Sequence, residues 1–171
     1  MENFKKISII GANGTGKSTL ARILSKKLST PIVHMDSFIW GPNWELIDRK
    51  LAEDKIKKEL QEKDSWIAEG YLTCAPKEIL QDSDFVIYLD YSKYKAFVNN
   101  IKRWLKHRKI QREELPEGCP DTFSFSSLVH ILQGGVTQLI EDALVKYPPK
   151  KMIRIKSYSS LKKFLKEISI N

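Results

Sequence analysis

A largely apolar run, Lys6 to Ile10, leads into Gly11-Ala12-Asn13-Gly14-Thr15-Gly16-Lys17-Ser18, and Leu20, Ile23, Leu24 and Leu28 then recur at helical spacing. A strand, a Gly-rich turn and a helix in that order leave few folds open. The eight residues fit G-x-x-x-x-G-K-[ST], a pattern whose glycines let the backbone turn its N–H groups inward onto phosphates. The helix that follows adds the positive end of its dipole. Gly11, Asn13, Gly14, Thr15, Gly16, Lys17, Ser18 and Thr19 are therefore the expected contacts to ATP or a close relative. Lys17 is expected to reach the β- and γ-phosphates, and the Ser18 hydroxyl to ligate Mg²⁺ bridging them.

The rest of the chain repeats the strand-then-helix order. Pro31 to Met35, Trp66 to Ala68, Phe85 to Leu89 and Met152 to Ile155 read as buried strands. Ile47 to Leu60, Tyr94 to Arg108 and Leu128 to Val145 read as helices between them. Alternation of this kind predicts a parallel sheet covered on both faces, an α/β fold. The stretch Arg112 to Ser127, with two prolines and few aliphatic residues, interrupts it as an exposed segment.

At 171 residues, with 42% hydrophobic and 29% charged, the chain is expected to fold as one domain with its own core. Ile7 to Ile10 is too short for a signal or a membrane span, so a cytoplasmic location and no membrane partner are expected. Cys74 and Cys119 lack metal or redox spacing and read as reduced thiols. The net charge of +8 favours anionic partners without choosing among them. No part of the sequence fixes the oligomeric state.

A phosphate loop that works on Mg²⁺-nucleotide needs a carboxylate at a neighbouring strand end, and three stand there. Glu69, followed by Gly70, is the candidate for the metal shell, the glycine allowing a substrate close to the backbone. Asp36 follows the second strand, where it could orient or deprotonate an attacking hydroxyl. Asp90 precedes Ser92 at a helix start and reads as part of an N-cap. His34 and His130 have no partners at metal spacing and are given no role.

Lys102, Arg103, Lys106, His107, Arg108, Lys109 and Arg112 form a basic cluster at the end of the Tyr94 helix. Cations so grouped can neutralise a transferring phosphoryl group. Trp104 inside the cluster leaves a nucleic-acid surface open as a competing use, although no helix-turn-helix, zinc or RNA-recognition motif supports it. Trp40 and Trp44 flank the Gly41-Pro42-Asn43 turn, either walling a substrate pocket or stapling the turn to the core.

Taken together, GANGTGKSTLARIL, HMDSFIWGPNW, WIAEGY, FVIYLD, IKRWLKHRKIQR and EGCPD resemble the DNA topology modulation proteins, small adenylate-kinase-like ATPases. The resemblance covers about residues 5 to 130. It implies a three-layer P-loop NTPase fold with a five-stranded parallel sheet of nucleoside-monophosphate-kinase type. It also implies a helical substrate-binding insert near 36–63 and a lid near 99–127 that closes over ATP. By position, Ser18 and Glu69 would organise Mg²⁺, and Arg103, Arg108 and Arg112 would hold phosphates beside Lys17. Asp36, Trp44, Gly70 and Tyr71 would meet the acceptor.

The chain departs from that family where Glu69-Gly70-Tyr71 replaces Asp-Gly-Asn-Tyr, one residue shorter. An arginine usual after this turn is missing, and Asn99 stands where another would precede Arg103 by four residues. The expectation is a Mg²⁺-dependent phosphotransferase acting on ATP and an unidentified small acceptor. A nucleotide-gated ATPase or nucleic-acid-binding protein is the alternative.

Overall fold

The computed structural model describes residues 4–70, 72, 75–107, 118, 119 and 133–170, with the backbone alone at 106, 107, 169 and 170. Five strands form one sheet: β1 (Lys6–Gly11), β2 (Ile32–His34), β3 (Trp66–Glu69), β4 (Phe85–Leu89) and β5 (Met152–Ile155). Their spatial order is β2-β3-β1-β4-β5, and every pairing is parallel. All five strands lie where the sequence places them.

Because successive strand residues face opposite sides, β1 feeds two separate cores. Ile7 and Ile9 meet Leu20, Ala21 and Leu24 of α1 (Lys17–Leu28) together with Phe164 and Ile168 of the C-terminal helix. Ile10 faces the other way, into a core shared with Ile56, Leu60, Ile79, Leu80, Val136 and Ile140. These come from α3 (Arg49–Gln61), α4 (Ile79–Asp82) and α6 (Gly135–Lys146), with α7 (Tyr158–Ile170) on the α1 side. The fold is therefore three layers, helices covering both faces of a parallel sheet.

Two further helices and a 3₁₀ turn follow the ends of β2 and β4. α2 (Asp36–Ile39) leaves β2 at once, and one 3₁₀ turn (Pro42–Trp44) follows before Asp48 caps α3 through Leu51 N–H at 3.0 Å. α5 (Lys93–His107) begins after β4, where Ser92 Oγ accepts from Lys95 N–H at 3.4 Å. Asp90 is not part of that cap. It pairs instead with Arg154 of β5 at 2.8 Å, and Arg154 reaches on to Glu141 of α6 at 2.6 Å. The guanidinium lies 4.9 Å from the Tyr88 ring centroid. Burial, reinforced by the Asp90 and Glu141 carboxylates, pushes the Tyr88 phenol above its usual range, so it stays protonated.

Helix α7 and the four-residue α2 and α4 are additions to the expected elements, and the other differences are local. The helix expected over Leu128 to Val145 is described from Gly135, where Gly134 stands in left-handed geometry at φ 76 as its N-cap. Residues 128–132 lie outside the described residues. Among the described residues, no helix is long and apolar enough to cross a membrane.

α3 holds to the sheet through Ala52, Ile56 and Leu60, all buried. Removing the Ile56 side chain leaves a cavity under the helix, so Ile56→Ala is expected to lower stability by about 2–5 kcal/mol. Urea unfolding with an unchanged slope checks this.

Candidate active site

The loop between β1 and α1 takes its shape from left-handed backbone at Gly14 (φ 81) and Gly16 (φ 88). At Gly14 the reason is also steric: a Cβ would overlap Asn100 Nδ2 and come 2.5 Å from Ala96 O. α5 thus lies directly against the loop. Asn99 Nδ2 donates to Gly14 O at 3.0 Å, while Asn100 Nδ2 donates within its own helix to Ala96 O at 2.9 Å. Asn99, the departure noted in the sequence, is the residue that ties the helix to the loop. Thr15 closes the turn from inside, its Oγ1 donating to Ala12 O at 2.8 Å.

Gly16 is the N-cap of α1 and no side chain caps that end. The first N–H groups of α1 and the helix dipole therefore face the loop, which suits phosphate oxygens. Lys17 is only 7% exposed, and its Nζ donates to Gly11 O and Ala12 O at 3.1 Å each. Its ammonium is thus held at the centre of the loop.

Glu69 ends β3 beside β1 and is 3% exposed. Its Oε2 accepts from Ser18 Oγ at 3.1 Å, and its Oε1 lies 2.6 Å from His34 Nδ1. Register explains the second contact, because His34 of β2 is the direct partner of Glu69 across the parallel pair. Met35 N–H donates to Glu69 O at 2.9 Å and Ser37 Oγ donates to His34 O at 2.7 Å, which fixes the corner leaving β2.

Ser18 and Glu69 are hard oxygen donors at the mouth of a phosphate loop, and among the described residues there is no cluster of three His, Cys, Asp or Glu able to cage a metal. This donor set fits Mg²⁺, which takes one or two protein oxygens and completes its shell from phosphates and water.

Asp36 opens α2 next to this corner. A Cβ on Gly70 (φ 147) would come 2.8 Å from Asp36 Oδ1 and 3.1 Å from Met35 Cβ. The glycine lets Asp36 sit close against the end of β3. Beyond α2, the Trp40 and Trp44 rings meet edge to face at 5.3 Å, and Trp40 bridges to Leu46 across the turn.

That turn is strained, with Asn43 (φ 56) and Trp44 (φ 63) both left-handed without being glycine. Cys119 holds it from far along the chain. Its Sγ accepts from Trp44 N–H at 3.2 Å and donates to Gly41 O at 3.3 Å. Gly118, left-handed at φ 75, leaves room for Asn43.

The described residues thus place Gly11, Asn13, Gly14, Thr15 and Gly16 from the end of β1 through the turn, and Lys17, Ser18 and Thr19 in the first turn of α1, with Glu69, Asp36 and Gly70 at nearby strand ends. Trp44 lies on the neighbouring turn. Arg103 is half-buried on α5, one helical turn beyond Asn99 and on the same side. Tyr71, Cys74, Arg108, Arg112 and His130 lie outside the described residues. His34, Asn99, Asn100 and Cys119 are contacts that sequence reasoning missed. None of them carried a signal in the sequence alone, because each contact depends on strand order or on packing between distant segments.

Gly14 and Gly16 separate two costs. Gly16→Ala meets open space and is expected to lose about 1–2 kcal/mol from backbone strain alone. Gly14→Ala must also displace Asn100 and α5, so its loss is expected to be about twice as large or more. Thermal unfolding of the two variants checks the order.

No protein-family model matches the chain, and no curated protein matches it. Solved structures do. Shikimate kinase from Acinetobacter baumannii in complex with shikimate is 16% identical, with a TM-score of 0.57 over 99% of this chain and 93% of that one. Shikimate kinase from Bacteroides thetaiotaomicron is 14% identical, TM-score 0.58, over 98% and 97%. Deoxyadenosine kinase from M. mycoides with bound dATP is 16% identical, TM-score 0.56, over 95% and 98%. At these identities the likeness is one of fold: this chain has the five-stranded parallel P-loop fold that these kinases share.

Proposed function

We propose that this chain is a Mg²⁺-dependent phosphotransferase that moves the γ-phosphoryl group of ATP to a small acceptor. The observation that carries the reading is the 3.1 Å contact between Ser18 and the buried Glu69 carboxylate at the mouth of the phosphate loop. A loop that only cradled phosphate would need no buried carboxylate against its serine. The fold shared with shikimate and deoxyadenosine kinases supports the reaction class. The shikimate kinase is in complex with shikimate, and the deoxyadenosine kinase is bound to dCMP and dCDP, to dATP or to dCTP, which supports a small acceptor without naming it here.

In this reading the loop N–H groups from Gly14 to Ser18 and the Lys17 ammonium bind the phosphates of ATP. Ser18 and Glu69 would hold Mg²⁺, which supplies charge neutralisation at the β- and γ-phosphate oxygens. The acceptor lies against Asp36, Gly70, Tyr71 and Trp44. Its hydroxyl oxygen forms the new bond to the γ-phosphorus while the bond from that phosphorus to the β–γ bridging oxygen breaks, releasing ADP. Asp36 takes the hydroxyl proton. Arg103, Arg108 and Arg112 steady the charge in transfer from the lid side.

The whole chain, 1–171, is one catalytic domain, in which 36–63 is the substrate-binding insert and 99–127 the lid. α2, the 3₁₀ turn and α3 make up most of the insert. Of the lid range, 99–107 belong to α5, 118 and 119 lie on the Gly41–Trp44 turn, and the remainder is outside the described residues.

The likeness to the DNA topology modulation proteins supports a second reading, a nucleotide-gated ATPase that touches nucleic acid. The net charge of +8 favours it. Salt separates the two, because binding through phosphates weakens steeply between low and high ionic strength.

With Mg²⁺-ATP and a panel of nucleosides, nucleotides and small hydroxy acids, the expected outcome is ADP release stimulated by one acceptor class. Asp36→Asn should lower kcat by about 10²–10⁴ while leaving the ATP dissociation constant unchanged. ADP formation at the background rate with every acceptor would overturn the phosphotransferase reading, and a salt-dependent gel shift would then favour the second.

A further inference from the structure

His34 takes one of the two Glu69 oxygens and leaves the other to Ser18. An ionised carboxylate only accepts hydrogen bonds, and against it the donor of the 2.6 Å contact is His34 Nδ1–H. Both partners are fixed from behind. Their strands are in direct register, and their backbones are held by Met35 N–H and Ser37 Oγ. With Glu69 at 3% exposure and His34 at 24%, the carboxylate has little room to turn away from this arrangement.

The consequence is a carboxylate restricted to one available oxygen, Oε2, which points at the Ser18 hydroxyl. Cations differ in what they ask of such a group. Mg²⁺ accepts a single carboxylate oxygen, keeps strict octahedral geometry and retains water, whereas Ca²⁺ takes more ligands and readily uses both oxygens of one carboxylate.

We propose that His34 is a positioning residue that holds Glu69 to single-oxygen ligation and so makes the site select Mg²⁺ over Ca²⁺. The inference rests on the reading that Ser18 and Glu69 hold the nucleotide's metal. It assigns His34 no contact with substrate. Loss of its N–H frees Oε1, which lets the carboxylate rotate and offer both oxygens to a larger ion.

The test is binding, read by calorimetry as the affinity for ADP in EDTA, in Mg²⁺ and in Ca²⁺. Wild type should show a marked Mg²⁺ enhancement and little from Ca²⁺. In His34→Ala the ratio of Mg²⁺ to Ca²⁺ enhancement is expected to fall about tenfold or more, in line with the loss of an outer partner of a metal ligand. The affinity in EDTA should not move.

His34→Asn, whose amide N–H can stand in for Nδ1–H, should recover most of the ratio. His34→Phe keeps the ring volume without a donor and should behave as His34→Ala, which covers the case in which the alanine variant folds poorly. An unchanged ratio in both His34→Ala and His34→Phe would overturn the proposal, and lower melting temperatures with that unchanged ratio would make His34 a packing residue only. If neither cation changes ADP affinity in wild type, the metal role of Ser18 and Glu69 falls as well, a result distinct from failure of the His34 variants alone.

Discussion

The buried carboxylate of Glu69 is where three parts of the molecule meet. Through Oε2 it touches Ser18 at the start of α1, through Oε1 it touches His34 at the end of β2, and its backbone carbonyl holds Met35 at the turn into α2. A charge at 3% exposure is costly unless its acceptors are satisfied, and here both oxygens have donors. The arrangement depends on β3 lying between β1 and β2, because only that strand order brings the end of β3 beside both the phosphate loop and His34. Sheet topology therefore comes before chemistry.

A second constraint is how closely other segments press on loops of unusual backbone. α5 sits so near the phosphate loop that Gly14 can be nothing larger, and Asn99 secures the contact. On the far side, two left-handed residues that are not glycine, Asn43 and Trp44, are clasped by Cys119. Strain of this kind persists only where surrounding contacts enforce it. In both places the enforcing residues lie beyond position 90, in the part of the chain assigned to α5 and the proposed lid. Helix α5 thus meets the donor loop, and the Gly118-Cys119 pair meets the turn proposed for the acceptor.

The five strands and the phosphate loop were legible because each is a local pattern: an apolar run, a turn signal, a glycine spacing. The strand-end positions of Glu69 and Asp36 were legible because each closes or follows an apolar run. α2 and α4, four residues each, leave no periodicity to read, although α7 carried a readable stripe in Leu161, Phe164, Leu165 and Ile168 that went unused. His34 could not be read without the strand order, since nothing in the sequence says that β2 pairs with β3. The Cys119 clasp spans 75 and 78 residues and depends on tertiary packing alone. Asn99 looked like a loss relative to a family pattern, and in the structure it is a tie to the phosphate loop.

The central claim is that one carboxylate and one serine complete a nucleotide-metal site on the phosphate loop. A crystal structure of the protein with Mg²⁺ and a non-hydrolysable ATP analogue tests it most directly. The account predicts phosphate oxygens within hydrogen-bonding distance of the Gly14 to Ser18 N–H groups, with the cation on Ser18 Oγ and Glu69 meeting it or one of its waters. A nucleotide bound elsewhere, or a cation that leaves the Ser18–Glu69 contact untouched, would contradict it.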